Sequence, residues 1–279
     1  DGRLVVSTDA GRIHCFSGAD AVQDVVGTKA VADPYPQDKW TSVYEASAKS
    51  ILVQTGIETG FCLVVGAETG RLALALARNS GLKIYGVESD PAKVAAARKA
   101  LSRTGLYGHR ITIHEAASGE IPYSNYFANL VVSDTHLLTG RVPVAADVVA
   151  RHLKPCGGAI CLGGTHPFDN AWRNSLGLSD QSVTELGDGF TVLQRGKLPG
   201  AGSWSHQYGD AGNTACSEDQ LIRGGLGVLW YGDPGPGKTI NRHDGAVGPV
   251  STNGRMFIQG VDSLMAYDAY NGQFLWEFN

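Results

Sequence analysis

Three short stretches of this chain combine residue types and spacings that could do chemistry. Gly66-Ala67-Glu68-Thr69-Gly70 follows the apolar run Phe61 to Val65 and precedes an apolar helical pattern. That places it at a strand-to-helix junction, where glycines let backbone approach a ligand and the helix N-terminus offers free N–H groups. About 20 residues on, Val87-Glu88-Ser89 closes the next apolar run, a spacing that suits a carboxylate accepting hydrogen bonds from ribose hydroxyls. Ser133-Asp134-Thr135-His136 follows a later apolar run and sets a carboxylate beside an imidazole, the usual neutral-pH base. His166, after Gly163-Gly164-Thr165, is a second candidate at the same rim. The plainer reading is local: Asp134 caps the next turn and His136 is a solvated loop residue.

The elements that must hold these residues alternate between helical and strand patterns. Thr41 opens a helical stretch (SVYEASAKSILVQTG), then come the strand FCLVVG, the helix RLALALARNSG, the strand KIYGVES and a helix starting at Pro91. ITIHEA, NLVVSD and GAICLGG continue the strands, and VPVAADVVARHLKP is another helix. This order predicts an α/β domain with a mostly parallel sheet covered on both faces. SVTEL and FTVLQRG, on either side of a short glycine-containing turn, predict an antiparallel hairpin appended to that sheet.

A parallel sheet finished by such a hairpin resembles the class I S-adenosylmethionine-dependent methyltransferases. The glycine loop, Glu88 and the passage LKPCGGAICL, which is similar to the one introducing that family's fifth strand, carry the resemblance together. It implies a Rossmann-like seven-stranded sheet and S-adenosylmethionine as cofactor, held by Gly66, Ala67, Glu68, Gly70, Glu88, Ala117, Ser118 and Ser133. Asp134 and His136 would then line the acceptor pocket as orienter and base for methyl transfer to a small molecule or a protein. The chain departs from the family pattern at four places. Val64 replaces the acid that opens the first motif, Glu68 its middle glycine, Ala117 and Ser118 an acid facing adenine, and Asn129 an acid at the start of the fourth strand. Two further readings follow: a degenerate fold serving as a ligand-sensing or structural insert, and a dinucleotide-dependent oxidoreductase. The appended hairpin and the absence of G-x-G-x-x-G spacing disfavour the oxidoreductase.

The two ends of the chain read differently. GRLVVSTDAGRIHCFSG is a hairpin, and NGRMFIQGVDSLMAYDAYNGQFLWEF repeats the plan with Ala266, Asp268, Gly272 and Trp276 at A-x-D-x-x-x-G-x-x-x-W spacing. This resembles the tryptophan-bearing repeat of pyrroloquinoline-quinone-type (quinoprotein-like) β-propellers; an ordinary β-meander is the plainer alternative. The resemblance implies Ala266 packed between blades, Asp268 and Gly272 setting a turn, and Trp276 docked on the next blade. A propeller needs about four to eight blades to close, so these partial blades imply a parent architecture, a piece of something longer, and no quinone site. The expected division is a blade hairpin at 1–18, a linker at 19–39, a methyltransferase-like domain at 40–197 and a blade segment at 198–279. The two end segments are expected to pair with each other, and exposed blade edges to favour homo-oligomers.

Composition excludes other classes. Lys+Arg 23 against Asp+Glu 27 leaves no basic excess for tracking nucleic acid. Cys15, Cys62, Cys156, Cys161 and Cys216 include no CxxC pair, which points to small buried hydrophobes and neither a disulfide framework nor a zinc site. The histidines show no paired ligand spacing, so no metal is expected. No apolar run reaches the roughly 18 residues that span a bilayer. Gly232 to Thr239 (GDPGPGKT) satisfies the P-loop expression, but no helical pattern follows, and Pro234 and Pro236 remove two N–H donors. Unpaired cysteines and a cytosolic cofactor favour the cytoplasm; an exported parent is the alternative.

Overall fold

The computed structural model describes residues 2–9, 12–18, 30–117, 119–179, 181–185, 189–241, 243 and 245–279. The chain starts with the hairpin β1 (Leu4–Ser7) and β2 (Ile13–Phe16). Helix α1 (Lys39–Thr55) starts at a capping box, with Asp38 and Thr41 each bonding the other's backbone, and ends at Gly56 in the left-handed conformation. The α/β alternation then follows in order: β3 (Phe61–Val65), α2 (Arg71–Asn79), β4 (Lys83–Glu88), α3 (Pro91–Leu101), β5 (Ile111–Glu115), β6 (Leu130–Val132), α4 (Asp134–Thr139), α5 (Ala146–His152), β7 (Ala159–Leu162), α6 (Asn170–Asn174), β8 (Gln181–Glu185) and β9 (Thr191–Arg195). Pro91 stands at the start of α3, where its missing N–H is harmless, and Asp90 caps the helix through Ala92 and Lys93 N–H.

These strands form one seven-stranded mixed sheet in the order β5-β4-β3-β6-β7-β9-β8. β5, β4, β3, β6 and β7 run parallel, and β9 is antiparallel to both its neighbours. Alternate residues bury on opposite faces. Cys62, Val64, Ile84, Ile113 and Val132 pack on α1 to α3 through Ile51, Leu72, Leu76, Val94 and Leu101. Leu63, Val65, Val131, Ile160 and Leu193 pack on the other side with Val149, Leu153 and Leu176. Cys62 and Cys161 are core residues as expected, whereas Cys15 and Cys216 are exposed. The Cys62 thiol is pushed up by burial, which keeps it protonated.

The C-terminal segment forms a separate antiparallel meander of β10 (Val250–Thr252), β11 (Arg255–Gln259), β12 (Leu264–Asp268) and β13 (Phe274–Phe278). Asp268 sets the β12–β13 turn, its Oδ1 accepting from Tyr270 and Asn271 N–H at 2.9 and 3.2 Å. Gly272 (φ 71°) lies against the Trp230 indole, where a side chain has no room. Residues 227–241 contain no strand or helix, so the GDPGPGKT run is a loop; Trp230 within this stretch donates from its indole to Ala269 O at 3.0 Å.

The meander docks on the α/β unit where the parallel strands begin. Lys154 Nζ and Asp268 Oδ2 form a buried ion pair at 2.5 Å. Asn271 donates to Phe127 O and Asn129 Oδ1, Asn129 donates to Gln273 Oε1, and Gln273 reaches Thr59 Oγ1. This explains Asn129 at the head of β6. It accepts from Phe61 N–H and Asn271 while donating to Gln273, and a carboxylate cannot donate.

One expectation fails. Among the described residues, β1 and β2 hydrogen-bond to each other and to no strand of the C-terminal meander, and the eight strand residues are all exposed. The likeness between the two end segments lies in side-chain pattern, and pattern alone does not specify pairing between distant segments.

Candidate functional site

The neighbours of β3 set the position of the site. β3 connects through α2 to β4 on one side, while β6 lies on its other side, so the loops after β3 and β6 diverge and leave a crevice at the strands' C-terminal ends. Gly66, Val87, Glu88, Ser89, Ala116, Ala117, Glu120, Pro143 and Val144 line a narrow cleft there of about 30 Å³.

The loop after β3 is held in a conformation that its sequence dictates. Gly66 (φ 63°) and Gly70 (φ 82°) occupy the left-handed region, and so does Glu68 (φ 49°). A side chain at Gly66 would run into Thr135 and Pro143. Glu88, buried at the end of β4, ties the loop down: Oε2 accepts from Glu68 N–H at 2.9 Å, and Oε1 from Ser89 and Asp90 N–H at 2.9 and 3.0 Å. The Glu68 side chain turns towards α4, taking the Thr135 hydroxyl on Oε1 at 2.6 Å and Lys93 Nζ on Oε2 at 2.5 Å.

The structure brings Gly66, Glu68 and Glu88 together, with Ala117 on the cleft wall, while Gly70 faces Tyr35 and Leu101. Ala67 is at the loop only through its backbone, because its methyl group is buried in the core beneath Gly86. Ser133 caps α4 by accepting from His136 N–H at 3.0 Å. Ser118 lies outside the described residues. Val64 is fully buried between sheet and helices, so no acid stands at that position.

Asp134 and His136 do not form an orienter–base pair. Both lie on the short helix α4, and positions two apart point about 200° from one another around the axis. Asp134, fully buried, accepts from the Tyr44 hydroxyl at 2.7 Å and from Leu72 N–H, in the first turn of α2, at 3.4 Å. His136 is also buried, which corrects the solvated-loop alternative. Its Nε2 has no partner among the described residues, and burial lowers its pKa and keeps the ring neutral, against the Pro167 carbonyl. Asp134 is the N1 residue of α4, so the cap is Ser133. His166 Nε2 faces Leu138 O at 3.2 Å.

Burial, with Glu68 adding to it, pushes the Asp134 carboxyl up to about 7, against the lowering effects of Tyr44, the Leu72 amide and Arg71. A carboxyl with a raised folded-state pKa contributes stability that is fully present below the unfolded value, near 4, and is lost as pH rises through about 7. In urea unfolding, Asp134 is therefore expected to contribute a fall of about 1–3 kcal/mol between pH 4 and 8, opposed by the rise from buried His136 and His152, whose pKa values are lowered. Asp134→Asn, which keeps an acceptor for Tyr44, is expected to remove most of that slope. An unchanged slope in the variant would assign it to another group.

Sequence reasoning missed several residues here. Tyr35, in a stretch assigned to a linker, gives its hydroxyl to Thr69 O at 2.6 Å and packs near Gly70, so residues 30–38 belong to the wall of the α/β unit. The Arg71 guanidinium lies over the Tyr35 and Tyr44 rings at 5.3 and 5.2 Å and pairs with Asp38 at 2.9 Å. Lys93, in the first turn after the Asp90 cap, was visible as a charge near Glu88 but had no evident partner. Tyr35 gave no sequence signal at all.

Residues 62–157 match the sequence family described as a methyltransferase domain. No curated protein matches the chain in sequence. Among solved structures, the fold is similar to three described as S-adenosylmethionine-dependent methyltransferases. One is assigned to that class from Methanococcus maripaludis (20% identity, 57% of this chain and 87% of that one, TM-score 0.46). The second is from Aquifex aeolicus (16% identity, 56% and 92%, TM-score 0.44). The third is a TehB-like protein from Corynebacterium glutamicum (16% identity, 57% and 95%, TM-score 0.39).

Proposed function

We propose that residues 40–197 are an S-adenosylmethionine-dependent methyltransferase domain, carried within a quinoprotein-like propeller of which 1–18 and 198–279 are blade segments. The observation that carries the enzymatic part is Glu88, a buried carboxylate that fixes the Gly66–Gly70 loop and also lines the cleft at the strand ends. The match of residues 62–157 to a methyltransferase domain supports the cofactor's identity.

The residues present fit that cofactor. A carboxylate offers about four acceptor sites. Three on Glu88 are taken by Glu68, Ser89 and Asp90 N–H, which leaves capacity for a ribose hydroxyl. Val87, Ala116 and Ala117 supply an apolar wall for a base, and Gly66 brings backbone to the edge of the cleft. The bound cofactor would supply an electrophilic methyl group for in-line displacement, to which the protein contributes chiefly position. The loop and Glu88 would hold the donor, while Thr135 and Pro143 close on Gly66 from the far side. The acidic network around Glu68 and Glu88 suits a positively charged sulfonium ligand.

The propeller part rests on the four-stranded meander, its Asp268–Gly272 turn and the exposed apolar residues Leu264, Trp276 and Phe278. Ala266 lies centrally on that face, paired with Phe257 and Trp276 on the flanking strands, whose rings lie 6.0 Å apart and tilted by 47°. The crowding of Gly66 by Thr135 and Pro143 favours a second reading, in which the domain binds the cofactor without transferring methyl.

Calorimetry on the whole chain tests the first reading. S-adenosylhomocysteine is expected to bind and NAD to give no heat; binding of NAD alone would overturn the assignment. Labelled methyl transfer to a broad acceptor panel then separates the enzyme from the sensor.

A further inference from the structure

A cleft of about 310 Å³ lies where the meander docks on the α/β unit, at the start of the parallel strands and so at the far end of the sheet from Glu88. Asn129 and Lys154 line it from the α/β unit, and Arg255, Asp268, Leu275 and Trp276 from the meander. A second hollow of about 200 Å³ adjoins it across Cys156, Asn253 and Gly254, with Lys197 and Tyr270 on its wall. Asn253 (φ 50°) and Gly254 (φ 73°) form the two-residue turn between β10 and β11, and Gly254 presses so closely on Cys156 that a side chain has no room.

The charges around these hollows are out of balance. Three cations, Lys154, Lys197 and Arg255, line them against one carboxylate, Asp268. That carboxylate is already occupied, Oδ2 by Lys154 and Oδ1 by the Tyr270 and Asn271 N–H groups. Arg255 stands opposite Asp268 in the β11–β12 register, yet it makes no ion pair or side-chain hydrogen bond among the described residues. Its planar fork of N–H donors is the shape that takes a carboxylate at both oxygens. Beside it, Trp276 and Leu275, 40% and 37% exposed, present a flat ring and an apolar side chain to the same space.

We propose that this cleft binds a small, flat organic carboxylate, with the carboxylate on the Arg255 guanidinium and the apolar body against Trp276 and Leu275. The ligand brings the one charge the cleft lacks, while Lys154 keeps Asp268. A neutral ligand of the same shape leaves the guanidinium without a counter-charge once water is displaced, and a bare inorganic oxyanion leaves the aromatic wall wet. The volume is at the lower end of the range for ligand pockets, about 300–1,000 Å³, and suits one or two fused rings. Both units contribute walls, so an occupied cleft also holds the meander on the α/β unit, because the ligand binds only the docked state. Its distance from the cleft beside Glu88 makes the ligand an effector and not a reactant there.

Calorimetry on the whole chain takes naphthoate as the probe, naphthamide as its uncharged counterpart and inorganic phosphate as an oxyanion without a ring. Naphthoate is expected to bind, naphthamide to bind about 10–100-fold more weakly, and phosphate to give no heat. Arg255→Ala is expected to weaken naphthoate by the same factor, and Arg255→Lys to recover only part of the loss, because an ammonium cannot fork. Trp276→Phe is expected to retain most of the affinity and Trp276→Ala to lose most of it, while Arg78→Ala, an exposed arginine on α2, changes nothing. Arg255 is exposed beside a turn, so its variants are expected to keep the parent's urea midpoint. No heat from naphthoate, equal binding of acid and amide, phosphate binding as tight as naphthoate, or full affinity in Arg255→Ala or Trp276→Ala would each overturn the proposal. Displacement of naphthoate by S-adenosylhomocysteine would place the probe beside Glu88 and overturn it too, whereas naphthoate binding in a chain that binds no S-adenosylhomocysteine upholds this site and sinks only the cofactor reading.

Discussion

Glu88→Ala is expected to weaken S-adenosylhomocysteine by about 10–150-fold and to cost about 1–3 kcal/mol of folding stability. The two losses have separate origins. Affinity falls because the ribose loses an acceptor fixed at a strand end. Stability falls because the N–H groups of Glu68, Ser89 and Asp90 lose theirs. Ser89 and Asp90 are exposed and can turn to water, so most of the stability cost comes from Glu68, whose left-handed backbone then loses its N–H acceptor and keeps only the side-chain contacts to Thr135 and Lys93. Glu88→Gln, which keeps one acceptor oxygen, is expected to fall between. Calorimetry and urea unfolding read the two effects independently, and an affinity within twofold of the parent would remove Glu88 from the binding site.

Lys154→Met is expected to destabilise the protein by about 3–5 kcal/mol, the cost of leaving a buried charge without its partner. Asp268 is 3% exposed, and its other oxygen already serves the Tyr270 and Asn271 amides, so it cannot turn away without unmaking the β12–β13 turn. Asp268→Asn keeps that turn and removes the charge, and the double variant is expected to recover much of the single losses. A double-mutant cycle by urea unfolding measures the coupling; single losses below about 1 kcal/mol would show that water reaches the pair. S-adenosylhomocysteine affinity is expected to stay unchanged, because this contact lies where the parallel strands start and the cleft lies where they end.

The alternation of helix and strand was legible because each element carries its own period, and so was the place of Glu88 at the end of β4, since a charge closing an apolar strand sits at its rim. The facing of Asp134 and His136 was not legible. Adjacent in a loop they would have met; in a helix that starts at Ser133 they diverge, and the decision rests on a single cap. Tyr44 on Asp134 and Arg71 between two tyrosines depend on how α1 lies over α2, which no local pattern encodes. Asn129 read as a lost acid when only the family pattern was considered, because its partners Asn271 and Gln273 lie more than 140 residues downstream.

That separation also orders events in time. The α/β unit is complete once residue 195 has been made, but Lys154, Asn129 and Thr59 must wait for partners 114, 142 and 214 positions later in the chain. Chains emerge at roughly 5–20 residues per second and domains generally fold as units, so the first unit has several seconds in which to settle before its last contacts arrive. Through that interval a lysine ammonium and an asparagine amide remain wetted at its base, and docking the meander dries them in one late step.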